Sequence, residues 1–300
     1  MSRSARIGRR LDAAETLHTV VSTMKTLASV RIGQYRHAVA ALEDSNRTIE
    51  LALQTLLRLN PELLEAEGER EASSLAVVTF GSDRGLCGPF NERVAQHAHG
   101  LLAARTVPDR DATLLAVGRR MVRRMEGRGW TVEGSVDPPG SLAAVEGAMM
   151  EVLRHVDRWR EEGRAERLFL VHARPTSAAS YEPYALQLLP LDPSWLRALH
   201  DRDWPSRRLP VAFGDTRELL RGLLRQLVAH ALVRAFAASQ ASENAARLAA
   251  MEAAERNVEE RIDALRTDYQ AARQSAITAE LLDIQVAYLA VGGEGGDRSG

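Results

Sequence analysis

The chain has 300 residues, 45% of them apolar, enough for one large core or two small ones without metal or disulfide staples. A formal net charge of −1 and a pI near 6.7 supply no global attraction to anionic lipid or to nucleic acid, which is not an expected partner. Cys87 is the single cysteine, which excludes an intramolecular disulfide and a cysteine-built zinc site; it reads most simply as a small buried hydrophobe.

The N-terminus carries Arg3, Arg6, Arg9 and Arg10 but no apolar stretch after them, so a secretory signal is not expected. No segment reaches the roughly 18 to 20 apolar residues of a membrane span, so direct membrane insertion is not expected either. Ile7, Ala14, Val21, Ala28, Tyr35, Leu42, Ile49 and Leu56 recur every seven residues, the seam of a coiled coil. A companion line of Leu11, Leu17, Met24, Ile32, Val39 and Leu53 is broken by Asn46. With no proline before Pro61, the pattern predicts one helix over 1–60, about 80 Å long at ~1.5 Å per residue.

Between residues 72 and 200 the pattern changes to alternation. Leu75 to Phe80, Thr113 to Val117, Trp130 to Val132, Leu168 to His172 and Tyr184 to Leu189 read as strands. Asn91 to Ala104, Arg119 to Gly127 and Leu142 to Glu162 read as helices between them. Such alternation predicts a mainly parallel sheet covered by helices, with the last two strands close enough in sequence to form an antiparallel pair. Over 212–290 a second long helix is expected, with Asp215 as its N-cap and Glu218 three residues on. Met251, Val258, Leu265, Ala272 and Ala279 repeat at seven on one line, and Ile262, Tyr269 and Ala276 on the next. Leu281, Leu282, Ile284, Val286, Ala287, Tyr288, Leu289 and Val291 surround its end with apolar side chains, which calls for a sleeve from another protein. A glycine-rich tail over 291–300 follows. The predicted class is therefore α/β: a long antiparallel coiled coil of N- and C-terminal helices with an inserted, mainly parallel, Rossmann-like α/β domain.

The loop Gly81-Ser82-Asp83-Arg84-Gly85-Leu86-Cys87-Gly88 follows a strand and precedes a helix, the setting in which glycine-rich loops cradle phosphates. It lacks the Gly-x-Gly-x-x-Gly spacing, and a tight turn with Asp83 and Arg84 paired locally explains it equally. Lys25 is the only lysine, so no Walker loop exists. His97 and His99 stand two apart on a helix and do not share a face. Arg119, Arg120, Arg123 and Arg124 form a basic helix face that reads first as solvated. The residues alone leave three classes open: a shaft-like subunit, a coiled-coil scaffold or adaptor with an α/β head, and a nucleotide-using enzyme with helical arms.

Three stretches resemble the gamma subunits of F-type ATP synthases: MKTLA from Met24 to Ala28, SDRGLCG from Ser82 to Gly88, and the block from Ala241 to Ile284 containing ARQSAIT. The resemblance implies a central-stalk rotor without a catalytic site, cofactor or metal of its own. Its coil would enter an α3β3 hexamer, and its α/β domain would stand on the membrane c-ring beside the epsilon subunit. The complex would lie at the cytoplasmic face of a bacterial membrane, with this chain held there peripherally. It further implies that Arg273 and Gln274 contact a β subunit, with Thr278, Leu281 and Ile284 on the same partner-facing stretch, and that Met24 and Lys25 pass near the β lever. Asp83, Arg84, Gly85 and Gly88 become a structural turn, because nucleotide sites of such a machine lie in the hexamer. Pro89-Phe90-Asn91 stands where the family has Gly-Leu-Asn, and Glu15 to Thr19 replace basic residues, departures that suggest a divergent variant copy.

Overall fold

The computed structural model describes residues 3–64, 74–104, 112–176 and 180–293, without the side chains of 43, 44 and 287–293. The chain divides into two compact units, residues 1–26 with 251–300 and residues 27–250. Helix α1 spans Arg3–Leu59 and helix α6 spans Thr216–Gly293, and each unit contains part of both. Neither helix has an interior proline, and Asp215 caps α6 by accepting from the backbone N–H of Arg217 and Glu218 at 2.9 and 3.0 Å.

In the first unit the two helices run antiparallel. Glu15 pairs with Arg266 at 2.9 Å, His18 with Glu259 at 3.2 Å and Lys25 with Glu255, so partners descend along α6 as they climb α1. The counted seam is the buried one: Val21, Met251, Ile262 and Leu265 are buried, and Ile7, Ala14, Val258 and Tyr269 are half-buried. Leu17, on the irregular companion line, is exposed instead. The tail expected over 291–300 lies, from 294 on, outside the described residues, as do the side chains of Ala287, Tyr288, Leu289 and Val291.

The second unit is built on a five-stranded sheet in the order β3-β2-β1-β4-β5, with strands β1 (Leu75–Phe80), β2 (Ala112–Val117), β3 (Gly134–Val136), β4 (Arg167–Pro175) and β5 (Tyr181–Leu189). The first four are parallel and β5 is antiparallel to β4. Alternate residues of β1 serve opposite faces, as the pleat requires. Ala76, Val78 and Phe80 join a core closed by α4 (Val145–Glu161) and by Leu232 and Phe236 of α6, while Leu75 and Val77 face α2 (Phe90–Ala104) and α3 (Arg119–Glu126). A third cluster joins Leu53 and Leu57 of α1 to Leu196 and Leu199 of α5 (Pro193–Asp201).

Three sequence expectations need correction. The third strand is Gly134–Val136, not Trp130 to Val132. Trp130 is apolar for a different reason: its backbone N–H closes the end of α3 on Met125, and its buried indole donates to Nδ1 of His99 at 2.9 Å. Helix α5 was not expected, since its nine residues follow a strand and Pro190 without a long apolar period; Asp192 caps it through the N–H of Ser194. The fourth helix also opens later than expected, after a 3-10 turn at Leu142–Ala144.

Phe236 and Phe80 meet edge to face at 4.9 Å in the centre of the larger core. Phe236→Ala should lower the unfolding free energy by about 3–5 kcal/mol in urea titrations, as expected of an emptied aromatic site. Phe213→Ala, at a side chain 84% exposed, should change it by under about 0.5 kcal/mol.

Candidate functional site

Two groups of sequence-predicted residues fall in different parts of the chain. The first is the loop after β1. β1 lies between β2 and β4, and the chain crosses from β3 to β4 over the opposite face from the one covered by α2 and α3. The loop therefore sits at the topological switch point, where open α/β sheets hold ligands. Here the loop spends its polar groups on itself. The Ser82 N–H donates to Oδ1 of Asn91 at 2.8 Å, Asn91 Nδ2 donates to Ser82 Oγ at 2.7 Å, and Ser82 Oγ donates to the Arg84 carbonyl at 3.0 Å. A β-carbon at Gly81 would lie 2.6 Å from Met121 Cβ and 2.7 Å from Asn91 Oδ1, so only glycine lets strand, α2 and α3 meet there. Gly88 turns the chain into α2 at φ 52°, a left-handed conformation that favours glycine.

Asp83 acts across 36 residues. Its Oδ1 accepts from the backbone N–H of Arg119 at 3.0 Å, capping α3, while its carboxylate also accepts from Nε and Nη2 of the Arg119 side chain at 2.9 and 2.5 Å. The preceding residue Gly118 has no side chain to do this, so the cap comes from the neighbouring strand's loop. The Arg119 guanidinium holds the Asp83 carboxyl at about 2, below the usual 3.8. Arg84 and Leu86 are exposed, Gly85 lies beneath the Arg120 guanidinium, and Phe90 is buried with its ring 5.5 Å from that of Tyr181. Cys87 is buried and its thiol is pushed up by desolvation.

Facing this loop is a feature that sequence reasoning missed. From Ala235 to Arg247 every residue of α6 is buried, including Gln240, Glu243, Asn244 and Arg247. Arg247 Nη2 donates to Glu243 Oε1 at 2.5 Å, and Nη1 to Asn244 Oδ1 at 3.2 Å. Burial raises the Glu243 carboxyl, against the attraction of Arg247, of Arg31 on α1 and of Arg84 on the loop. The signal was present as Glu243-x-x-x-Arg247, an i,i+4 pair set among alanines, but surface helices carry such pairs too.

The second group lies in the coil. Met24 is half-buried, and Lys25 donates to Glu255, a hydrogen bond that raises the lysine and lowers the carboxylate. Arg273, Gln274, Thr278, Leu281 and Ile284 are all exposed on α6. Arg273, Ile277, Leu281 and Ile284 follow at four, four and three residues and so share one face, while Thr278 Oγ1 is turned back onto the Gln274 carbonyl at 3.0 Å. Exposure reaches 61% at Leu281 and 62% at Ile284.

The family model described as ATP synthase matches residues 4–291. The chain belongs to the ATP synthase gamma-chain family. It is similar to the ATP synthase gamma chain of Nostoc sp., with 28% identity over 299 residues covering 92% of this chain and 95% of that one. Among solved structures it resembles a chain of the Euglena gracilis mitochondrial ATP synthase, determined as its OSCP, F1 and c-ring parts. That match has a TM-score of 0.66 at 21% identity and covers 99% of this chain and 96% of that one. A chain of the Tetrahymena thermophila central stalk and c-ring matches with a TM-score of 0.57 at 19% identity, over 78% and 99%. As a gamma chain it is a component of an ATP synthase and follows the family fold, a mixed sheet with long N- and C-terminal helices. Among the described residues no helix is long and apolar enough to cross a membrane.

Two measurements probe the first group. Asp83 is ionised more readily in the native than in the unfolded chain, so its contribution is present above about pH 4 and lost as pH falls toward 2. Asp83→Asn should cost about 1 kcal/mol of unfolding free energy at pH 7, a difference that shrinks by pH 3. For the buried pair, Arg247→Met should cost about 3 kcal/mol by leaving a carboxylate unpartnered, and adding Glu243→Met to it should restore part of that loss.

Proposed function

We propose that this gamma chain is the rotating, non-catalytic shaft of the central stalk. Ion flow through the membrane c-ring turns the α/β domain, and the coil drives the β subunits of an α3β3 hexamer through their nucleotide-affinity states. The observation that carries this reading is the end of α6. Gly8 of α1 lies against Tyr269, and past Arg273 the described side chains of α6 are all exposed. Its Ile277, Leu281, Leu282, Ile284 and Val286 are apolar and exposed, a surface that calls for a sleeve from other chains. Exposed Leu209, Val211 and Phe213, between α5 and α6, support a second apolar contact, from the α/β domain to the c-ring and the epsilon subunit beside it. The self-satisfied loop at the switch point supports the absence of a nucleotide site in this chain. On this reading the chain is peripheral, held through the complex at the cytoplasmic face of a bacterial membrane. Lys25 and Met24 pass near the β lever.

Arg273 and Gln274 are assigned the polar contact to a β subunit. Guanidinium offers a charge-assisted, two-pronged bond to a carboxylate, and the amide both donates and accepts. Replacing both by alanine should leave folding stability within about 0.5 kcal/mol, because neither is buried. In membranes carrying the assembled complex, the same change should lower ATP-driven ion pumping relative to ATP hydrolysis. An unchanged pumping-to-hydrolysis ratio with full assembly would remove these residues from the drive.

A further inference from the structure

We propose that the coil carries a transition-metal site, suited to Zn2+, formed by His18 of α1 together with Glu255 and Glu259 of α6. All three lie in the same unit, and one ligand atom from each falls within 4.8 Å of the other two. The two carboxylates are four residues apart on one helix, so they share a face, and the antiparallel partner brings an imidazole to that face. The separation between His18 Nε2 and Glu259 Oε1 is 3.2 Å. Zinc bonds of ~2.0–2.2 Å at tetrahedral angles require ligand atoms about 3.3 Å apart, so this pair already has the spacing of two ligands on one ion. Hydrogen bonds pair His18 with Glu259 and Lys25 with Glu255, and the two pairs meet so that one ligand atom from each of His18, Glu255 and Glu259 converges on the same point.

The donor set decides the class of ion. One imidazole nitrogen and two carboxylates, with a water as fourth ligand at this solvent-accessible position, satisfy zinc or cobalt. Magnesium and calcium ask for six or more oxygens and gain little from the imidazole. Lys25 donates to Oε2 of Glu255, and its ammonium opposes a cation there. A bound ion would tie α1 to α6 at the turn where Lys25 and Glu255 already hold them, an ion-dependent clamp on the coil.

The test uses the full-length chain dialysed against Zn2+ and analysed for metal content, with Co2+ as the spectroscopic probe. About one ion per chain should be retained at micromolar free metal, and cobalt should show the visible absorption of a tetrahedral site. His18→Ala and Glu259→Gln should each weaken binding about tenfold or more while leaving the circular dichroism unchanged, since both side chains are largely outside the seam. Lys25→Gln should tighten binding severalfold by removing the opposing ammonium, a change of sign that a merely structural role would not give. Zn2+ should raise the thermal midpoint of the wild-type chain and not that of His18→Ala. Absence of binding at micromolar zinc, or binding by His18→Ala equal to wild type, overturns the site; so does a preference for Mg2+.

Discussion

The structure of the larger unit depends on burying one helix from every side. Ala235 to Arg247 of α6 have no solvent face, so the side chains around them must be small where backbones approach and polar atoms must find partners nearby. Composition meets the first demand: Ala235, Ala237, Ala238, Ser239, Ala241, Ser242, Ala245 and Ala246 offer little bulk. The second is met largely within the helix, where Ser242 Oγ returns to the Ala238 carbonyl, Asn244 to that of Gln240, and Arg247 reaches back to Glu243, while Ser239 Oγ is left without a partner. A buried ion pair adds little net stability over a well-packed apolar pair, but it does penalise any sliding or rotation of the helix that would separate charge from partner. For the rotating shaft proposed above, register is worth more than stability.

That same helix packs against the switch point of the doubly wound sheet. The loop after β1 and the buried stretch of α6 face each other closely enough for Arg84 to influence Glu243, and for Glu243 and Arg247 to influence Cys87. Phosphate-binding loops present backbone N–H groups toward an open crevice. Here the Ser82 N–H is consumed by Asn91, and Asp83, which a phosphate would repel, turns to cap α3. The motif's residue types suit a joint between loop, α3 and α6.

Much of this architecture was legible because heptads and strand alternation are periodic signals, and periodicity survives without knowing the partner. Val21, Ala28 and Tyr35 were counted as seam and are buried. Trp130 misled because apolarity marks burial, not extension, and its indole was needed against His99 rather than in a ladder. Helix α5 was missed because nine residues with a proline start give too short a period to count. Among the site residues, the turn at Asp83 to Gly88 could be located but its long-range cap could not, since the Arg119 N–H lies 36 residues away and no local spacing encodes it. Glu243 and Arg247 were hidden for the opposite reason: their spacing is so common on solvated helices that burial alone distinguishes them.

The smaller unit follows another logic. Its cross-helix ion pairs are partly exposed, and such pairs contribute about 0–1 kcal/mol each, so the seam of Val21, Met251, Ile262 and Leu265 must hold the helices together. Beyond that seam the same helix keeps Ile277, Leu281 and Ile284 exposed, although covering a large aliphatic side chain is worth about 1.5–3 kcal/mol. That free energy is unused by the chain alone and becomes available only when another chain surrounds the helix. Apolar contact of this kind is non-directional, so it tolerates a turning surface, whereas hydrogen bonds fix an angle. The exposed apolar side chains of this helix end therefore offer a surface that can slip, while Arg273 and Gln274, about 100° apart around the helix, are the polar contacts proposed to resist slipping.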